Sequence, residues 1–146
     1  EYLVLDGVFQ DELGDFLKGT YVRNPPTSSH TPATEPGAII LVKLHQFDPD
    51  DRTVVRKSMD GAGIVPLHQD AHEDVRIENW APGASVSIDA PGGIEVFVLD
   101  GSFVEATEEF ATWSWLRLPP RSQLLATAGV AGARVWIKSG HLLGMI

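Results

Sequence analysis

Five histidines are the first places to look for chemistry in this chain, because a neutral imidazole accepts a proton or a divalent metal near neutral pH. His68 and His72 stand four residues apart, the spacing that sets two imidazoles on one helix face to share a metal. Their segment, residues 66–74, is polar, contains Asp70 and runs into a strand pattern, so a solvated loop is expected instead. His45 and His141 are expected in exposed roles. His30 ends Pro25-Pro26-Thr27-Ser28-Ser29-His30, and one histidine alone builds no metal site. Asp48-Pro49-Asp50-Asp51 has the acidity of a calcium loop without its glycine or closing glutamate, and reads as a turn. No serine stands in a Gly-x-Ser-x-Gly context. The glycine pairs Gly61/Gly63 and Gly129/Gly132 lack the lysine and the helix of a phosphate loop.

Composition narrows the classes further. No cysteine occurs in the 146 residues, which excludes disulfides, thiolate zinc sites and Cys nucleophiles. The net charge of −9 repels phosphate backbones and anionic headgroups, so neither nucleic acid nor a membrane surface is an expected partner. No apolar run approaches the roughly 20 residues of a spanning helix. With 14 Gly and 10 Pro, the chain favours many short strands over long helices.

The elements that must position these residues follow from an internal repeat. Residues 1–28 align without a gap to residues 95–122, with 11 of 28 positions identical. Glu1-Tyr-Leu-Val-Leu-Asp-Gly7 returns as Glu95-Val-Phe-Val-Leu-Asp-Gly101, Arg23 as Arg117, and Pro25-Pro26 as Pro119-Pro120. One residue is then inserted, and Gly37-Ala38 matches Gly132-Ala133 while Lys43 matches Lys138. Residues 1–6 and 95–100 read as strands ending in Asp-Gly turns. Residues 20–23 and 114–118 read as strands stopped by Pro-Pro. Residues 37–44, 74–80, 84–88 and 132–138 are further strands, and 45–59 a connector. Residues 11–18 have room for a single helical turn. Arg23 and Arg117 are expected to close ion pairs with a strand carboxylate, Asp6 and Asp100 being the first candidates. Trp113 and Trp115 are expected on one strand face, suited to an interface between the two units.

The strand-and-turn motifs, together with Pro25-Pro-Thr-Ser-Ser-His30, Gly37…Lys43 and Trp80-Ala-Pro-Gly83, resemble the cupins. More narrowly they resemble the ChrR-like cupins, the sensor lobes of zinc-binding anti-sigma factors, in a member with two cupins. That resemblance implies an all-β fold of two tandem jelly-roll barrels. Residues 1–46 would be the C-terminal half of a first cupin, incomplete in this chain, and residues 47–146 a second, degenerate one.

The cupin metal motif is His-x-His, a Glu and, in a second motif, a third His. Carried over residue by residue, the resemblance makes His30 the motif-two ligand. It places the ligand Glu one position before Glu1, with Glu1 the fallback, and the His-x-His upstream of residues shown here. A divalent metal is therefore expected in the first cupin, zinc foremost, with iron, manganese or nickel as other choices. In the second cupin the Glu and His positions hold Ile94 and Leu124, and residues 86–90 contain no histidine, so no metal is expected there. The implied function is a cytoplasmic sensor or regulatory module binding a metal or small ligand. A mononuclear dioxygenase or isomerase and a purely structural cupin are the alternatives. A homodimer is the expected assembly, and a sigma-factor system the expected partner through a domain outside this chain.

Overall fold

The computed structural model describes residues 1–143, and they form twelve strands with antiparallel pairing throughout and no helix among them. The contacts divide the chain into two compact units, Glu1–Asp60 and Gly61–Ile146.

The first unit is organised by β1 (Tyr2–Asp11). The first half of β1 pairs with β3 (Thr20–Arg23) and with β4 (Ala38–Val42), its second half with β2 (Gly14–Leu17), and β5 (Val55–Ser58) extends the sheet from β3. The Asp-Gly that the sequence places at a strand end is a bulge inside a continuous strand. Against β4 the register jumps from Val4↔Ile40 to Asp6↔Ile39, leaving Leu5 as the extra residue. Such a bulge bends the strand and strengthens its twist. Gly7 makes it feasible: its φ is +71°, and a Cβ there would lie 2.0 Å from the Gly37 carbonyl oxygen.

The second unit repeats this plan on longer strands. It comprises β6 (Ile64–Gln69), β7 (Asp74–Trp80), β8 (Ser85–Ala90), β9 (Ile94–Glu105), β10 (Glu108–Ala111), β11 (Trp115–Leu118) and β12 (Ser122–Ser139). Between β9 and β12 the register jumps from Val98↔Val135 to Asp100↔Arg134, the same bulge at an offset of 94 on one strand and 95 on the other. Gly101 has φ +74°, and its Cβ would stand 2.1 Å from the Gly132 carbonyl oxygen. Phe9↔Phe16 across the first hairpin likewise returns as Phe103↔Phe110. In the second unit β7 and β8 also pair with β12, whereas β4 pairs only with β1 in its own unit.

Each unit buries one face. In the first, Tyr2, Val4, Phe9 and Val22 form the cluster, with Phe16, Ala38 and Ile40 against it. In the second, the alternation of β7 and β8 is that of half-buried strands. Ile94, Val96, Val98, Phe103, Leu124, Val135 and Ile137 are fully enclosed in its core.

Four expectations need correction. The connector does not belong to the second unit, because β5 pairs with β3 and the units divide after Asp60 and not after residue 46. Residues 11–18 form the β1–β2 hairpin, since Phe9 and Phe16 must meet on the buried face. Arg23 pairs with Asp51, while Asp6 lies 3.6 Å from Lys18 on the surface. Arg117 approaches Glu95, its partner across the β9–β11 pair, and not Asp100. Arg23 is enclosed, donates to the Thr53 carbonyl at 2.9 Å, and lies 3.9 Å over the Phe47 ring. It is therefore the peg that folds residues 47–53 onto the first unit.

Two predictions follow from these contacts. Gly7→Ala and Gly101→Ala should each cost more stability than Gly14→Ala, which shares a positive φ but has open space around its Cβ. Thermal melts of the three variants test this, and equal losses would show that the close approach to the carbonyl is immaterial. The second concerns acid. The hydrogen bond from Arg23, foremost, holds the Asp51 carboxyl well below its ordinary range. Folded Asp51 thus stays ionised after its unfolded counterpart has taken up a proton near pH 4. Its stabilisation is complete above that pH and is lost as the pH falls toward the folded value. Asp51→Asn should cost about 1–3 kcal/mol at pH 7, and denaturant melts should show the gap from wild type shrinking at pH 3.

Candidate functional site

The loop after β3 carries His30, and two carboxylates of the β1–β2 hairpin hold it. Asp11, at the end of β1, accepts the Leu13 N–H at 2.8 Å with Oδ1 and lies 3.3 Å from His30 Nδ1 with Oδ2. The Asp11 side chain is wholly enclosed, while that of His30 is 29% exposed. Glu12 takes the Thr31 N–H on both oxygens, at 2.8 and 3.0 Å. These Thr31 bonds draw the Glu12 carboxyl down to about 2. The Ser28 hydroxyl donates to the Pro25 carbonyl at 2.6 Å and closes the turn before His30. The imidazole lies nearly parallel to the Tyr2 ring, 6.4 Å between centroids, with Phe9 6.1 Å away.

With Nδ1–H given to Asp11, Nε2 carries the lone pair, and no described residue uses it. A carboxylate behind one imidazole nitrogen fixes tautomer and orientation for whatever the other nitrogen binds. Asp11 is a residue of this candidate site that the sequence reading missed. The signal was within reach only as an acid at the end of the first hairpin, since its 19-residue separation from His30 matches no local motif.

His30 opens onto a cavity of about 680 Å³ lined by Tyr2, Phe9, Pro32, Ile40 and Phe47, among others, and Glu1 also lines it. The two sequence-predicted ligands thus share a cavity, but the Glu1 carboxylate is engaged elsewhere. Its Oε2 accepts from the Tyr21 hydroxyl at 2.7 Å and its Oε1 from Gln46 Nε2 at 2.8 Å. Strand alternation explains this, because Tyr2 belongs to the buried cluster and its neighbour Glu1 faces the other way. The first unit therefore offers one oriented imidazole, and its described side chains do not by themselves complete a metal site.

The second unit contains a His/carboxylate group where a loop was expected. His68 lies in β6 and is buried, because β6 pairs with β7 and continues the sheet. Its Nε2 is 3.0 Å from Asp70 Oδ2 and 3.9 Å from Glu73 Oε1. Among the described residues these three form the one group of donors close enough to share an ion. However, Glu73 also holds the enclosed Lys138 ammonium at 2.7 Å. Burial pushes the Asp70 carboxyl upward, but the His72 N–H, His68 and the Glu73 N–H outweigh it and leave it below its ordinary value. A buried ammonium already supplies the positive charge, so the donor set fits an ion-pair network better than a metal site. His72 contributes only its backbone N–H.

Glu95, retained from Glu1 in the repeat, has its own partners. His141 Nε2 lies 3.2 Å away and is buried, contrary to the exposed role expected of it. Position 141 corresponds to Gln46, which also meets the retained glutamate. Trp113 and Trp115 do not share a strand face: Trp113 occupies a turn with φ +68°, and β11 begins at Trp115. Ile94 and Leu124, where a cupin has Glu and His, are fully enclosed in the apolar core.

Residues 1–48 match the family model of the ChrR cupin-like domain. No curated protein matches the chain significantly in sequence. A solved structure of a candidate dioxygenase from Nostoc punctiforme is similar over 97% of this chain and 61% of its own, with a TM-score of 0.72 and 15% identity. The protein YlbA of E. coli is similar over 94% of this chain and 66% of its own, with a TM-score of 0.65 and 18% identity. The complex of SigE with the anti-sigma ChrR from Rhodobacter sphaeroides contains a chain matched over 58% of this one and 49% of its own, with a TM-score of 0.48 and 18% identity. The chain spans about half to two thirds of the length of these structures. At such identities the likeness is one of fold, the jelly roll of the cupins. The fold is that of the cupins, and within it residues 1–48 match the ChrR cupin-like family.

Proposed function

We propose that the chain is a cytoplasmic, regulatory cupin module whose first unit binds a divalent metal or a small ligand in the cavity that carries His30. The observation behind this reading is the Asp11–His30 pair, which leaves an oriented Nε2 beside a largely apolar cavity. Neutral imidazole nitrogen suits zinc foremost, and iron, manganese or nickel as well. A bound ion would add Lewis acidity or a structural anchor. Further ligands would have to come from outside the described side chains of residues 1–60, and Glu1 could serve only by giving up Tyr21 and Gln46. The second unit, with Ile94 and Leu124 inside, is proposed as a structural, metal-free cupin.

The regulatory part rests on the ChrR cupin-like match. A sigma-factor system, reached through a domain outside this chain, is the proposed partner. A homodimer is proposed as well, through the edge of β4 that has no strand partner in its own unit. The enzyme alternative differs in needing an open coordination position and turnover, which oxygen consumption with candidate substrates would reveal.

Metal analysis of the purified full-length protein tests the reading. Stoichiometric metal is expected, with occupancy falling about tenfold or more in His30→Ala and unchanged in His68→Ala. Absence of metal from wild type removes the metal arm. Loss in His68→Ala but not in His30→Ala would move the site to the second unit.

A further inference from the structure

We infer that the first-unit cavity takes a neutral, largely apolar molecule that presents a carbonyl oxygen to the Tyr2 hydroxyl. The inference deepens the ligand-binding reading above and rests on it.

Tyr2 is held so that its hydroxyl has one place to be. It opens β1, pairs with Val22 on one side and Val42 on the other, and belongs to the buried cluster. Its ring lies 4.7 Å from that of Phe9 at a tilt, edge-on to Phe16 at 6.4 Å and nearly parallel to His30 at 6.4 Å. Three rings around it leave the phenol little freedom to turn toward another partner.

The hydroxyl so placed has nothing to bond. Tyr2 is 4% exposed, and its oxygen is buried with no hydrogen-bond partner among the described residues. The fold does not require this group, because the matching position of the second unit is Val96, enclosed in an apolar core. A buried donor left without an acceptor is costly. Tyr2 lines the cavity, so an occupant that brings an acceptor there removes the cost.

The local field selects a neutral acceptor over an anionic one. Burial, first, and then the Asp11 charge push the Tyr2 phenol up to about 12, outweighing the opposite pull of Arg56. At neutral pH the phenol is therefore a donor, and an anion brought against it would face the enclosed Asp11 carboxylate. A carbonyl oxygen accepts through two lone pairs and brings neither a charge nor a donor that would need its own partner. The rest of the molecule is apolar because its surroundings are. Phe9, Pro25, Pro32, Ile40, Val42 and Phe47 line the same cavity, whose volume of about 680 Å³ is that of a small-molecule site.

Three probes of one shape test this by equilibrium dialysis against the full-length protein. They are 2-acetylnaphthalene, 2-isopropenylnaphthalene, with a methylene in place of the carbonyl oxygen, and the anionic 2-naphthoate. The ketone should bind about fivefold more tightly than the alkene, as one net hydrogen bond implies, and more tightly than naphthoate. Tyr2→Phe should bring ketone and alkene to within about twofold of each other by weakening the ketone alone. Without ligand the same variant should melt no lower than wild type, because it loses a donor that had no partner. Equal affinity of wild type for ketone and alkene, a ketone preference that survives Tyr2→Phe, or tighter binding of naphthoate overturns the inference while the cavity reading stands. A clearly lower melting temperature in Tyr2→Phe overturns it as well, by showing that the hydroxyl is already bonded within the protein. Failure of all three probes to bind overturns the carbonyl site, and His30-dependent metal occupancy then decides the earlier reading separately.

Discussion

Much of this molecule depends on a backbone-to-backbone approach that occurs twice. Gly7 lies against the Gly37 carbonyl, and Gly101 against that of Gly132, each glycine at positive φ in the bulge of a long strand. No side chain fits between. The bulge lets one strand serve two pairings, its first half with two neighbours and its second half in a hairpin. It also re-aims the side chains beyond it. In the first unit, Tyr2 and Val4 before the bulge and Phe9 after it join one cluster. A strict alternation counted through Leu5 would have put Phe9 on the other face. The hairpin then ends at Asp11, whose enclosed carboxylate orients His30. The candidate site is thus tied to a glycine four residues away from it.

The same register supports two different interiors. His30 corresponds to Leu124, and Tyr2 to Val96. In the second unit Leu124 and Val96 close an apolar core. In the first unit the equivalent segment, residues 24–37, remains a loop with a single bridge, Gln10↔Ala33. Pro32 and Pro36 are part of the reason, since neither can donate to a strand ladder. The other part is a partner: residues 122–127 of β12 pair with β8, and nothing within residues 1–60 takes the place of β8. Loop conformation frees the histidine to face a cavity, while strand conformation makes its counterpart a core residue.

The strands of the all-β fold were legible in the sequence because they are written in periodicities and in words such as Leu-Asp-Gly. The bulge was not, since Asp-Gly reads equally as a turn, and only the continuation of pairing from Val4 through Asp11 distinguishes the two. The partners of Arg23 and His30 were hidden for another reason. Asp51 lies 28 residues from Arg23 and Asp11 lies 19 from His30, and both carboxylates sit in hairpin ends or connectors whose sequence patterns say only that a turn is present. His68 was misread because the polarity of residues 66–74 matches a loop. Glu73 in that stretch is buried because Lys138 answers its charge, and His68 lies against Glu73 and the exposed Asp70.

Charge distribution separates the two units more sharply than their shared backbone suggests. In the second unit the enclosed Lys138 has Glu73, and the buried Glu95 has His141 and Arg117. These pairs close within the same unit. In the first unit Arg23 is answered by Asp51, and the half-buried Arg56 donates to neutral oxygens. An interior that satisfies its own charges has no electrostatic reason to take up a ligand. One that keeps the Tyr2 hydroxyl buried without a partner on a cavity wall has such a reason. The polar groups that face a cavity, the Tyr2 hydroxyl and the His30 imidazole, thus lie in the first unit.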